Sequence, residues 1–203
     1  MSEVIRINTD DAVKQTSEQR KSITTFELVP ETDPILREVM PTFDFENPPT
    51  DPTELASKLV DTCMKRNAFG LSANQCGLRY RVFVLGSDEE YVGCFNPEII
   101  ELGDKEALDV EGCLTFPLLG LKVKRPDRVK FKYQDYNGEW HEVEFHGFSA
   151  RVFLHELDHL NGILYTDRAG PMALKMGQKK RDKYNKLVDR YETAQKKIKK
   201  YTA

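Results

Sequence analysis

The 203-residue chain contains no run of 18 apolar residues, which excludes a membrane-spanning helix. Its opening stretch, "MSEVIRINTDDAVKQTSEQR", is polar and lacks the apolar core of a signal peptide, so a cytoplasmic location is expected. Cysteine is sparse: Cys63, Cys76, Cys94 and Cys113 form no CxxC pair. In a reducing compartment they are expected to be free thiols rather than a disulfide framework. No internal repeat is visible.

What is present fits one globular domain. Hydrophobic residues make up 39% of the chain, enough for a core, and the mean hydropathy of -0.56 fits a water-exposed surface. The net charge of -3 hides an asymmetry. Between Lys175 and Lys200 there are eleven Lys and Arg against three Asp and Glu, so the excess acid lies in the rest of the chain. A basic tail on an acidic body suggests a polyanionic partner, although a solvated helix face explains the composition equally well.

Residues 1–24 are expected to form a flexible extension, 25–170 the body of one domain and 171–203 a basic C-terminal helix of that same domain. "TELASKLVDTCMKRN" places Leu55, Leu59, Val60 and Cys63 at helical spacing, with Asp51 or Thr53 as the cap. "AFGLSANQCG" follows as an exposed loop. "YRVFVLG", "YVGCFNPEII", "LKVKRPDRVKFKYQD" and "EWHEVEF" alternate with period two and predict strands, with "DYNGEW" as an Asn-Gly hairpin turn. "GFSARVFLHELDHLNG" returns to helical spacing and ends at Gly162, a cap glycine. Beyond Pro171 a stripe of Tyr184, Leu187, Val188, Tyr191 and Ile198 predicts a helix docked on the body, continuous from near Gln178 because Gly177 weakens its first turns. The order gives an α+β fold, with antiparallel sheets around a central helix and further helices at the N-terminal and C-terminal ends.

The chemistry concentrates in "HELDHLNG". His155 and His159 are four apart and share a helical face, so both imidazoles can ligate one metal ion. Glu156 between them suits proton transfer at an activated water. Two buried, hydrogen-bonded histidines in an ordinary helix would look the same, so a third ligand is needed. Downstream there is little. Tyr165 stands where the metalloprotease pattern HExxHxxGxxH has its last His, no His follows His159, and Glu192 lies in the basic tail. Asp167 is the remaining downstream carboxylate. Upstream, Cys113 in "EGCLTFP" would complete a Cys-His-His site with one open position, unless it is simply a buried small residue. Gln75 in the exposed loop offers a side-chain amide.

"GLSANQ", "EGCLTFP" and "HELDHLNG", in that order, resemble the three signature motifs of peptide deformylases, and the resemblance runs over roughly residues 28–170. It implies a hydrolase that removes the formyl group from the N-terminal formylmethionine of nascent chains. By that resemblance Cys113, His155 and His159 bind one divalent metal, Glu156 is the acid and base, and Gln75 with the backbone N–H of Leu114 steadies the developing oxyanion. Gly70 matches a glycine whose backbone pairs with substrate. Phe69, Glu111, Phe148, Val152 and the stem of Arg151 are expected around the methionine.

The resemblance implies iron(II) in the cell, with zinc, nickel or cobalt tolerated, and a C-terminal helix that docks on the ribosome. Neither membrane nor DNA is an expected partner. Four positions depart from the usual motifs: Ala68, Ser72, Thr115 and Gly120. None is expected to touch a metal ligand or Glu156. Two other readings remain: a protease using Asp167, and a ribosome-associated factor with a structural metal.

Overall fold

A computed structural model describes residues 25–87 and 90–202, with side chains described as far as residue 195. The extension expected over 1–24 lies outside the described residues. After a 3-10 turn at Pro34–Arg37 comes α1, Pro52–Lys65. Asp51 caps it, its side chain accepting from Glu54 N at 2.8 Å, and Pro52 occupies the first turn, where no N–H is needed. The strands follow as β1 Gly70–Ser72, β2 Val82–Ser87, β3 Glu90–Leu102, β4 Glu106–Cys113, β5 Phe116–Pro126, β6 Arg128–Gln134 and β7 Trp140–His146. Then come α2 Gly147–Leu160, the short α3 Tyr165–Arg168 and α4 Pro171–Thr202.

All pairing is antiparallel. One sheet runs β1-β2-β3-β6-β7, and among the described residues β4 pairs only with β5. Period two on the central strands divides the core. Phe83, Leu85, Val92 and Cys94 face α2, while Val82, Val84, Tyr91 and Phe95 face α1. The five-stranded sheet therefore lies between the two helices. On the α2 side Phe153 stacks on Phe131 with ring centroids 3.7 Å apart. Burying such rings contributes about 1.5–3 kcal/mol each.

Several sequence expectations change here. The "AFGLSANQCG" stretch is not an exposed loop: it forms β1 and a 3-10 turn, Ala73–Cys76, with Leu71 to Gln75 buried. "LKVKRPDRVKFKYQD" is two strands that break at Pro126. β4 was not predicted, because its first five residues are exposed and show no alternation. The hairpin between β6 and β7 is not a two-residue Asn-Gly turn. Gly138 alone has positive φ (83°), and Asp135 N–H bonds to Glu139 O around it.

The tail departs most. α4 begins at Pro171, not near Gln178, because Gly177 is a contact residue: a Cβ there would stand 2.5 Å from Leu121 Cδ2. Its missing side chain lets α4 cross β5 closely. The stripe does not dock. Tyr184, Leu187 and Tyr191 are 50%, 62% and 65% exposed, Val188 is half-buried, and the Ile198 side chain lies outside the described residues.

Candidate active site

α2 is the structural centre. Eleven of its 14 residues are buried, including Arg151, His155, Glu156, Asp158 and His159. Charges buried at this density each need a partner. Arg125 partners Asp158, its Nη1 donating to Oδ2 at 2.7 Å, while its Nε and Nη2 donate to Glu111 of β4 at 2.6 and 2.9 Å. Arg151 donates to Glu111 Oε1 at 2.7 Å and to the carbonyls of Val123 and Ala107. Arg168 adds a second pair to Asp158.

Glu111 is the hub. Its Oε2 lies 3.0 Å from His155 Nδ1, which fixes that ring and leaves Nε2 facing inward. Burial alone would raise the Glu111 pKa, but the hydrogen bonds from His155 and Arg125 outweigh it and hold it at about 2. Expected against substrate, Glu111 borders the cavity but spends both carboxylate oxygens behind a ligand. Arg151 is likewise held by its guanidinium.

Cys113 Sγ lies 3.3 Å from His159 Nε2, and Sγ and the two imidazoles offer ligand atoms all within 4.8 Å of one another. Burial would push the Cys113 thiol up, yet the charge of His159 and hydrogen bonds from both histidines hold it well below its usual value. His155 is raised to about 10: burial lowers it, and Cys113 and Glu111 more than compensate. A thiolate among imidazole donors, backed by a carboxylate, favours positive charge. The donor set fits a divalent metal such as iron, zinc, nickel or cobalt. Asp167 is elsewhere: it pairs with Arg37 and accepts from Leu164 N at 3.0 Å, starting α3. A further group, Asp135, Glu139 and His141, is accounted for by the β6–β7 turn, where Asp135 Oδ1 accepts two backbone N–H bonds.

Beside Cys113 and the two histidines, Gln75 Nε2 reaches Cys113 Sγ at 3.3 Å and Thr115 Oγ1 at 3.0 Å, while its Oε1 accepts from Ser72 N at 2.9 Å. Glu156 is buried, and desolvation raises its pKa. Ser72 Oγ donates to it, with Oε2 at 2.7 Å. The expectation that no motif departure touches Glu156 is thus overturned at Ser72, and Thr115 contacts Gln75. Asn74 Nδ2 donates to His159 O at 2.7 Å, pinning the last turn of α2.

These groups border a cavity of about 430 Å³, a size suited to a small ligand. Gly70, Leu114, Phe148 and Val152 line it. Phe69 packs edge-on against Phe148, centroids 4.9 Å apart, and is half exposed at the rim. The free edges of β1 and β4 both reach this cavity, at Gly70 and at Val110–Gly112.

A thiolate and two imidazoles converging beside a buried carboxylate and a fixed amide define a metal-dependent hydrolase. The comparisons make it specific. The family described as polypeptide deformylase matches residues 25–175, and the chain belongs to that family. It is 38% identical over 149 residues to the peptide deformylase of Thermotoga maritima, spanning 73% of this chain and 89% of that one. The crystal structure of a peptide deformylase from Legionella pneumophila superposes with a TM-score of 0.73 at 29% identity, covering 82% of this chain and 99% of that chain. The Met-Ala-Ser-bound class I type b peptide deformylase of Acinetobacter baumannii gives 0.68 at 31% identity, covering 72% and 99%. The protein is a hydrolase that removes the formyl group from the N-terminal formylmethionine of nascent polypeptides, releasing formate. No described helix is long and apolar enough to cross a membrane.

Sequence reasoning missed Arg125, Asp158 and Ser72. For Arg125 the signal was present: Leu119, Leu121, Val123 and Arg125 alternate inward, which puts a charge in the core.

Proposed function

We propose that Cys113, His155 and His159 hold one divalent ion, and that Glu156, Gln75 and Leu114 carry the deformylation. The convergence of the three ligand atoms within 4.8 Å beside the Glu156 carboxylate supports this reading above any other observation. When bound, the ion supplies Lewis-acid activation of water at neutral pH. Glu156 takes the proton of the water that attacks the formyl carbon, then delivers it to the amine nitrogen as the C–N bond breaks. Formate and a free amino terminus result. Gln75 Nε2 has two protons, one toward Thr115 Oγ1 and one toward Cys113 Sγ; it gives up the longer contact, to Cys113, to donate to the developing oxyanion, while the Leu114 N–H provides the other donor. Gly70 pairs by its backbone with the extended substrate. Phe148 and Val152 enclose the methionine side chain, and Phe69 covers it from the rim.

We assign iron(II) as the ion in the cell and the cytoplasm, where formylated chains are made, as the location. Zinc, nickel and cobalt suit the same donors in a purified sample. The test is formate release from formyl-Met-Ala-Ser by anaerobically purified protein, with its metal measured. Absence of release from fully metal-loaded protein would count against the reading.

The exposed basic helix supports a second element, docking on ribosomal RNA. Lys175, Lys179, Lys180, Lys183, Lys186 and Arg190 are exposed, and the match to the family ends at residue 175. Binding through phosphates would weaken steeply with salt. Salt-insensitive cosedimentation with ribosomes would count against it.

A further inference from the structure

We propose that Ser72 is a positioning residue for Glu156: its hydroxyl pins one carboxylate oxygen and so aims the other at the reacting amide. The inference rests on Glu156 transferring the proton. Period two on β1 turns Gly70 and Ser72 to the α2 side and Leu71 to the α1 core. Ser72 is wholly buried, and its Oγ lies 2.7 Å from Glu156 Oε2 and 3.0 Å from the Glu156 main-chain oxygen. The hydroxyl has one proton, both acceptors belong to Glu156, and the carboxylate is the stronger of the two when ionised.

The other carboxylate oxygen is placed by a vacancy. A Cβ on Gly70 would stand 2.6 Å from Oε1, so only glycine leaves that oxygen its position on the cavity wall. The terminal torsion of a Glu side chain is broad, so without the Ser72 bond the carboxylate plane would turn within that space. Ser72 also donates its backbone N–H to Gln75 Oε1 at 2.9 Å. One residue thus orients both the proton carrier and the amide that faces the oxyanion.

The experiment is steady-state kinetics on formyl-Met-Ala-Ser with metal-loaded, full-length protein. Ser72→Ala is expected to lower kcat about tenfold, the scale of a small misplacement, while KM and bound metal stay unchanged. Ser72→Cys fills the same space with a weaker donor and is expected to fall between, which guards against a packing explanation. In a Glu156→Asp background the carboxylate is withdrawn by one methylene, so Ser72→Ala should change kcat by less than about twofold. Unchanged kcat in Ser72→Ala, a loss confined to KM or metal content, or an equal loss in both backgrounds would overturn the proposal. Glu156→Gln keeps the two readings apart. If it turns over normally, the acid-base role fails and takes this inference with it; if it is inactive while Ser72→Ala is fully active, only the positioning role fails.

Discussion

Two helices of this molecule treat charge in opposite ways. α2 is short and buried, and its ionisable residues meet partners from elsewhere: Arg151 and His155 meet Glu111, Glu156 meets Ser72, Asp158 meets Arg125, and His159 meets Cys113. α4 is more than twice as long, and its described lysines, with Tyr184, Leu187 and Tyr191 of the apolar stripe, face solvent. The difference shows that a charge gains chemical meaning from what desolvates and pairs it. In α2 every charge is held at one geometry, as proton transfer and metal binding require. In α4 the same residue types stay hydrated and available to a partner.

Substitutions should separate the helices sharply. Cys113→Ala removes the proposed ligand opposite α2, and we expect loss of bound metal with a fall in activity of roughly a thousandfold or more. Metal analysis decides it; full metal retention would move the site elsewhere. Glu156→Gln should keep the metal and lower kcat by about 10²–10⁴-fold with KM little changed, read by initial rates at neutral pH.

Stability should follow the same division. Asp158→Ala leaves Arg125 buried without one partner and is expected to cost about 3–5 kcal/mol. Asp189→Ala on α4 should stay within about 0.5 kcal/mol. Urea unfolding of the pair tests the comparison directly, and equal costs would break it.

Acid should act on the surroundings of α2 through Glu111 of β4. The Glu111 pKa is held at about 2, below its ordinary 4.5, so its stabilisation is complete above the ordinary value and is lost as pH falls toward 2. That shift corresponds to about 3 kcal/mol. Glu111→Gln should flatten the acid limb of the stability curve, and a limb as steep as wild type would remove Glu111 as its source.

The smallest effect on chemistry belongs to α4. Its early turns are structural, since Gly177 packs on Leu121 and Arg181 pairs with Glu31. Ending the chain after Lys183 keeps those contacts. Turnover of a small formyl peptide should then stay within about twofold, as for other surface changes, while salt-sensitive ribosome cosedimentation weakens because Lys186 and Arg190 are removed.

The same contrast explains what could be read from the sequence. α1, the central strands and α2 follow periodicities that span a few residues, so they were legible. The three motifs pointed to the residues that the fold brings together around the cavity, because each group sits within one short stretch. Ser72 and Glu156 are 84 positions apart, and Glu111 and His155 are 44 apart; no local pattern encodes such pairs. β4 was hidden because solvent covers most of it. The α4 stripe was visible, yet amphipathic spacing says only that a face is apolar, not that anything covers it.

The two free strand edges at the cavity carry a liability of their own. An unpaired strand edge offers its hydrogen bonds to any extended chain, including another copy of this protein. β1 limits the hazard by being three residues long. β4 does so with a break in register between Glu111 and Cys113, and with Glu106 and Asp109 exposed along its length. Each device shortens or charges the edge without closing it. Hydrophobic replacements along β4 would remove that charge and are expected to favour association between copies of the chain.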